Sequence, residues 1–82
     1  MSNYETFLSV YGNHLKYYIQ KYPNSYSYQI EEVPSVALKM VAALKKGSAS
    51  IVSPAIRQTC KDLDIRCSVS SIVSYLSEER KP

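Results

Sequence analysis

Tryptophan is missing from this chain of 82 residues, phenylalanine and histidine each occur once (Phe7 and His14), and glycine occurs twice (Gly12 and Gly47). Two glycines cannot build a glycine-rich phosphate loop or a dinucleotide-binding turn. His14 has no acidic residue at a neighbouring helical step, so it reads as a surface or boundary residue rather than an oriented general base. The adjacent pairs Glu31-Glu32 and Glu78-Glu79 diverge on a helix and read as solvated charge. An enzyme is not expected. The two cysteines, Cys60 and Cys67, are too few for a disulfide framework, and their C-x6-C spacing matches no common zinc pattern. Two reduced thiols, at least one of them buried, are expected, with no metal and no cofactor. No apolar run approaches the ~20 residues of a membrane span, and the polar stretch from Ser2 to Thr6 does not open a secretory signal. The expected setting is the cytoplasm, with no membrane partner.

What is present suits one domain over residues 1–82. The hydrophobic fraction of 45% supports folding, and a charged fraction of 21% is too low for a disordered tail. Eight tyrosines stand where other domains use phenylalanine or leucine, and seven fall within the first 28 residues. Tyrosine combines a large apolar ring with a hydroxyl that can face water, which suits half-buried positions and interfaces. Charge is unevenly placed. Residues 1–38 carry Lys16 and Lys21 against Glu5, Glu31 and Glu32, for −1. Residues 39–66 carry Lys39, Lys45, Lys46, Arg57, Lys61 and Arg66 against Asp62 and Asp64, for +4. This central excess complements an acidic partner, whether protein or nucleic acid.

The periodicity predicts an all-α domain of four helices. Ser2-Asn3-Tyr4-Glu5 has the S-x-x-E form of a capping box, and apolar residues recur in steps of three and four from Tyr4 to Tyr22 before Pro23. A helix over 3–21 follows, with Gly12 its weakest point. Residues 23–33 alternate polar and apolar, but no second strand exists to pair with them. They are expected to run as a turn-rich connection laying Tyr26, Tyr28 and Ile30 over the helices. Val33-Pro34 opens a helix over 34–46, closed by Gly47, with Met40 and Val41 nearly fully buried as the centre of the core. Ser53-Pro54 opens a third over 54–63 by the same capping logic, with Ile51 and Val52 packing at its entry. A fourth, over 68–79, buries Val69, Ile72, Val73 and Leu76.

The last two segments form a helix-turn-helix-like hairpin. Ile56-x3-Cys60-x2-Leu63-x-Ile65, followed by Val69-x2-Ile72-Val73-x2-Leu76, resembles that unit, with Cys60 small enough for close helix crossing. Asp64 stands where the motif usually has glycine, and the second helix's apolar register begins about two residues late. Its outward residues would be Ser70, Ser71, Ser74 and Tyr75. That helix has no Arg, Asn or Gln for bidentate base contacts.

The stretch from Val36 to Leu76 resembles a small uncharacterised group of helical proteins carried by phages and other bacterial mobile elements. The likeness lies in Ala42, Leu44, Lys45, Gly47 and Ser48, in Ala55, Ile56, Thr59, Cys60 and Lys61, and in Leu63, Ile65, Ile72, Tyr75 and Leu76. It covers about half of the chain and brings no functional residue. It implies a protein that binds and redirects a host protein or defence complex. The expected function is therefore a small binding module contacting its partner through Lys45, Lys46, Arg57, Lys61 and Arg66. A protein partner is favoured, and a small DNA-binding regulator is the alternative.

Overall fold

The computed structural model describes residues 2–47 and 53–78. Four α-helices follow one another: α1 (Asn3–Lys21), α2 (Val33–Lys45), α3 (Pro54–Asp62) and α4 (Val69–Ser77). Two single turns of 3-10 helix, Pro23–Ser25 and Ile30–Glu32, join α1 to α2. Among the described residues there is no strand, and the fold class is all-α as the periodicity predicts.

The start of α1 follows from its first residues. The Ser2 hydroxyl oxygen accepts from the Glu5 backbone N–H at 3.1 Å, filling one of the donors a helix start leaves open. Glu5 answers with its carboxylate, which accepts from the Ser2 hydroxyl. Along α1 the buried residues Phe7, Tyr11, Leu15 and Ile19 stand four apart, so they form one stripe. Val33, Ala37, Val41 and Leu44 of α2, Ala55, Ile56, Thr59 and Cys60 of α3, and Ile72 and Leu76 of α4 close on it. Thr59 sits in this core without penalty because its hydroxyl donates to the Ala55 carbonyl at 2.7 Å.

Helix α1 is the common partner: α2, α3 and α4 all pack against it, and α4 also lies on α2. The two ends of the described chain meet there, where the Asn3 side-chain amide donates to the Tyr75 carbonyl at 3.1 Å. Gly47 ends α2 with φ +73, its N–H donating to the Leu44 carbonyl at 2.9 Å, the left-handed stop expected of a glycine in that place.

Several expectations change in detail. Helix α2 begins at Val33 and ends at Lys45, one residue earlier at each end than the 34–46 read from the sequence. Helix α3 ends at Asp62, and α4 runs from Val69 to Ser77; position 79 lies outside the described residues. The expected packing of Ile51 and Val52 also lies outside them. Ser53 precedes α3 in extended conformation but makes no side-chain cap bond, so Pro54, with φ already suited to a first turn, sets this start. Met40 is half-buried rather than central: it stands at the edge of the α2 stripe, while Val41 and Leu44 are fully enclosed. Val69 and Val73 are likewise half-buried, leaving Ile72 and Leu76 as the residues that α4 inserts. Tyr26, Tyr28 and Ile30 do lie over the core, partly buried against it. No helix of the described residues is long and apolar enough to cross a membrane.

Candidate functional site

Two surfaces carry unusual chemistry, one basic and one lined by tyrosine. The basic surface starts from the amphipathic character of α3. With Ala55, Ile56, Thr59 and Cys60 turned inward, the i, i+4 pair Arg57 and Lys61 is left on the solvent face. Arg66, in the turn after α3, is also exposed. Lys45 and Lys46 end α2, which packs on α1 and α4; they reach solvent from a different element, and the Lys45 ammonium lies 5.6 Å from the Tyr4 ring centre. The structure thus sets Arg57 and Lys61 on the outer face of α3, leaves Arg66 exposed in the turn beyond it, and holds Lys45 and Lys46 on another helix end.

Acidic neighbours do not neutralise α3. Asp62 is turned to α1, where one carboxylate oxygen lies 2.6 Å from His14 Nε2 and the other accepts from Gln58 Nε2 at 3.4 Å. The His14 hydrogen bond, helped by Gln58 and by the charge of Lys61, holds the Asp62 carboxyl below its ordinary value. This is the one ion pair among the described residues. It corrects the reading of His14 as a residue without an acidic neighbour: the partner stands 48 positions away, beyond the reach of any helical-step rule.

The turn after α3 has a defined cause. Asp64 adopts φ +56, the left-handed conformation. Its N–H donates to the Lys61 carbonyl at 3.3 Å, and the Ile65 N–H reaches back to the Cys60 carbonyl at 2.9 Å. Those two bonds are a Schellman motif, with Asp64 in the place glycine usually takes and Ile65 folded against the core. Aspartate tolerates the conformation better than most residues, so Asp64 ends α3 as a glycine would. Helices α3 and α4 then pack on α1 rather than closely on each other, which departs from the helix-turn-helix-like hairpin read from the sequence. Cys67 is brought round beside Cys60, one thiol exposed and the other buried. Burial, with the neighbouring Cys67 thiol adding to it, pushes the Cys60 thiol up to about 12. Ser68 then starts α4, its hydroxyl oxygen accepting from the Ser71 N–H at 3.3 Å. The outward side of α4 presents Ser70 and Ser74 beside Glu78, and its Tyr75 ring leans on Phe7 at 6.3 Å.

The tyrosine surface is a groove of about 680 Å³ between α1, the connection after it, α2 and the start of α3. Tyr11, Tyr18, Tyr22, Tyr26 and Tyr28 line it, with Met40 and Pro54 at its edges. Tyr18 and Tyr22 stack at 6.2 Å with planes 14° apart, and Tyr26 meets Tyr28 at 5.9 Å. Burial, with Tyr28 and Tyr26 nearby, pushes the Tyr11 hydroxyl up to about 12; burial likewise raises that of Tyr26. Both remain neutral donors across the physiological range. Composition signalled the excess of tyrosine, but the groove depends on how residues 23–28 fold back, which periodicity does not give.

Among the described residues no cluster of histidine, cysteine and acidic side chains could hold a metal ion. No protein-family model, no curated protein and no solved structure matches the chain.

Proposed function

We propose that this chain is a non-catalytic binding module that docks on an acidic protein partner through the outer face of α3 and the turn beyond it. One observation carries the reading: Arg57, Lys61 and Arg66 are exposed and make no ion pair among the described residues, while Asp62, the acidic residue of α3, is engaged with His14 and Gln58. Arginine anchors interfaces well, because its planar fork meets a carboxylate with two hydrogen bonds. Lys45 and Lys46 add long-range attraction from the end of α2, an effect expressed mainly in the association rate. The likeness to phage and mobile-element proteins supplies a context, namely a host protein or defence complex in a reducing cytoplasm.

A second reading, a small DNA-binding regulator, rests on the helix-turn-helix-like spacing of α3 and α4 and on the chain reversal at Asp64 between them. The outward face of α4 speaks against it. A recognition helix must offer base-reading side chains to the major groove, and this one offers serines and Glu78.

The experiment is a pull-down from bacterial lysate, with and without nuclease, using the parent chain beside an Arg57→Glu/Lys61→Glu variant whose folding circular dichroism has checked. The reading expects a protein captured by the parent, retained after nuclease and lost with the charge-reversed variant. Capture that survives charge reversal overturns the basic face as the contact. Capture abolished by nuclease, with affinity falling steeply as salt rises, selects the DNA reading.

A further inference from the structure

The tyrosine groove reaches the start of α3, at Ser53 and Pro54, but its chemistry differs from that of the basic face. Among the described residues no lysine, arginine, aspartate or glutamate lines it; its described wall is five phenol rings with two serines, a methionine and a proline. Tyr11 forms part of its floor and is 1% exposed, among the largest fully buried side chains of the protein. Its hydroxyl has no hydrogen-bond partner among the described residues, yet no buried side-chain oxygen or nitrogen is left unsatisfied. The small part of Tyr11 that still meets open space is therefore its hydroxyl, aimed into the groove. A phenol held in this way is a donor that water reaches from the groove and that a ligand's carbonyl can accept from in the water's place.

We propose that this groove binds a proline-rich, uncharged stretch of polypeptide in the polyproline II conformation, its rings laid on the tyrosine faces and one of its carbonyls accepting from Tyr11.

Three properties of the groove select that occupant. A polyproline II segment makes no internal hydrogen bonds, so its carbonyls are free to accept from tyrosine hydroxyls. Its conformation exists before binding, so little ordering entropy opposes association, and aromatic-lined grooves are the surfaces that recognise it elsewhere. The uncharged lining also disfavours the competitors. Single-stranded nucleic acid stacks on aromatic rings but needs a row of cations along its backbone. Among the described residues the lining holds none, with only the Lys21 ammonium overhanging its Tyr22 ring. A quaternary ammonium ligand would meet the Lys21 ammonium, already 5.5 Å from the centre of the Tyr22 ring, and would find no carboxylate in the lining. The stacked pair Tyr18–Tyr22 and the pair Tyr26–Tyr28 fix the walls before any ligand arrives.

The test titrates the full chain with a blocked decaproline and follows tyrosine fluorescence, which no tryptophan obscures, and amide chemical shifts. A glycine–serine peptide of equal length, choline and an oligothymidine are titrated in parallel. Saturable decaproline binding is expected, with shifts centred on residues 11, 18, 22, 26 and 28, and no comparable response to the other three. Tyr11→Phe removes only the hydroxyl and should weaken binding about fivefold, the effect of one hydrogen bond. Tyr22→Ala removes a ring that is 46% exposed, so it should weaken binding while the chain stays folded. Absence of saturation at millimolar decaproline overturns the proposal. So does tighter binding of choline or oligothymidine, or decaproline binding that both variants leave unchanged. Decaproline titration and charge-reversed pull-down change different side chains, so either can fail while the other succeeds.

Discussion

His14 Nε2 lies 2.6 Å from Asp62 Oδ2, joining the middle of α1 to the last turn of α3 across 48 residues. Both groups are partly open to water, so the bond acts as a clasp on the surface of an interface whose interior is apolar.

The clasp predicts a pH dependence with a definite sign. The His14 hydrogen bond lowers the folded-state value of Asp62, so the contribution is present above the unfolded carboxyl value and is lost as pH falls through the folded one. Urea midpoints of the parent should fall more steeply on acidification below about pH 4 than those of Asp62→Asn. Parallel acid limbs for the two proteins would show that the clasp contributes nothing to folding.

Gly12 lies within α1, and a Cβ built there meets nothing within 4 Å. Gly12→Ala should therefore stabilise the chain by ~0.5–1 kcal/mol, through reduced freedom of the unfolded backbone. Thermal melts settle it; a lower melting temperature would mean that the open space beside Gly12 does not accept a methyl group.

The two apolar edges of α2 should respond unequally. Leu44→Ala opens a cavity in fully enclosed packing and should cost ~3 kcal/mol. Met40 stands half-buried at the rim of the tyrosine groove, so Met40→Ala should cost ~1 kcal/mol. Denaturant unfolding of the two variants checks the order, and an equal loss would return Met40 to the centre of the core.

Thiol labelling should separate the cysteines. In the native protein an aromatic disulfide reagent should titrate exposed Cys67 promptly, and buried Cys60, its thiol pushed up to about 12, only after denaturation. Two thiols reacting at the same rate under native conditions would mean that the end of α3 opens readily.

Much of this fold could be read from particular residues. Ser2 and Pro23 bracket α1, Pro34 and Gly47 bracket α2, and Pro54 starts α3, because capping chemistry and proline's fixed geometry act locally. The stripe on α2 was legible as a stripe, but which edge faces the core and which the groove depends on the placement of α1 and the tyrosine connection. Asp64 was read as a departure from the turn pattern, since sequence shows the residue type and not the left-handed φ it adopts. The His14–Asp62 bond was beyond reach for another reason: it is set by how α3 lies on α1, which no local spacing encodes. At the candidate site the excess of positive charge was visible as composition. Its division between α3 and the end of α2, and the commitment of Asp62 elsewhere, became visible only in three dimensions.

The bond from Asn3 to the Tyr75 carbonyl spans 72 positions, and it bears on how the protein is made. Helix α1 is synthesised before the other three helices, carrying Phe7, Tyr11, Leu15 and Ile19 in a stripe that each later helix covers in part. Helix α2 supplies the earliest cover and α4 the last, so the stripe cannot be sealed until residue 75 has emerged. Nine-residue helices such as α3 and α4 are marginal by themselves in water and must find α1 in order to persist. Completion of the fold thus waits for α4, and until then the nascent chain offers the ribosome's surroundings an open apolar stripe edged with tyrosine.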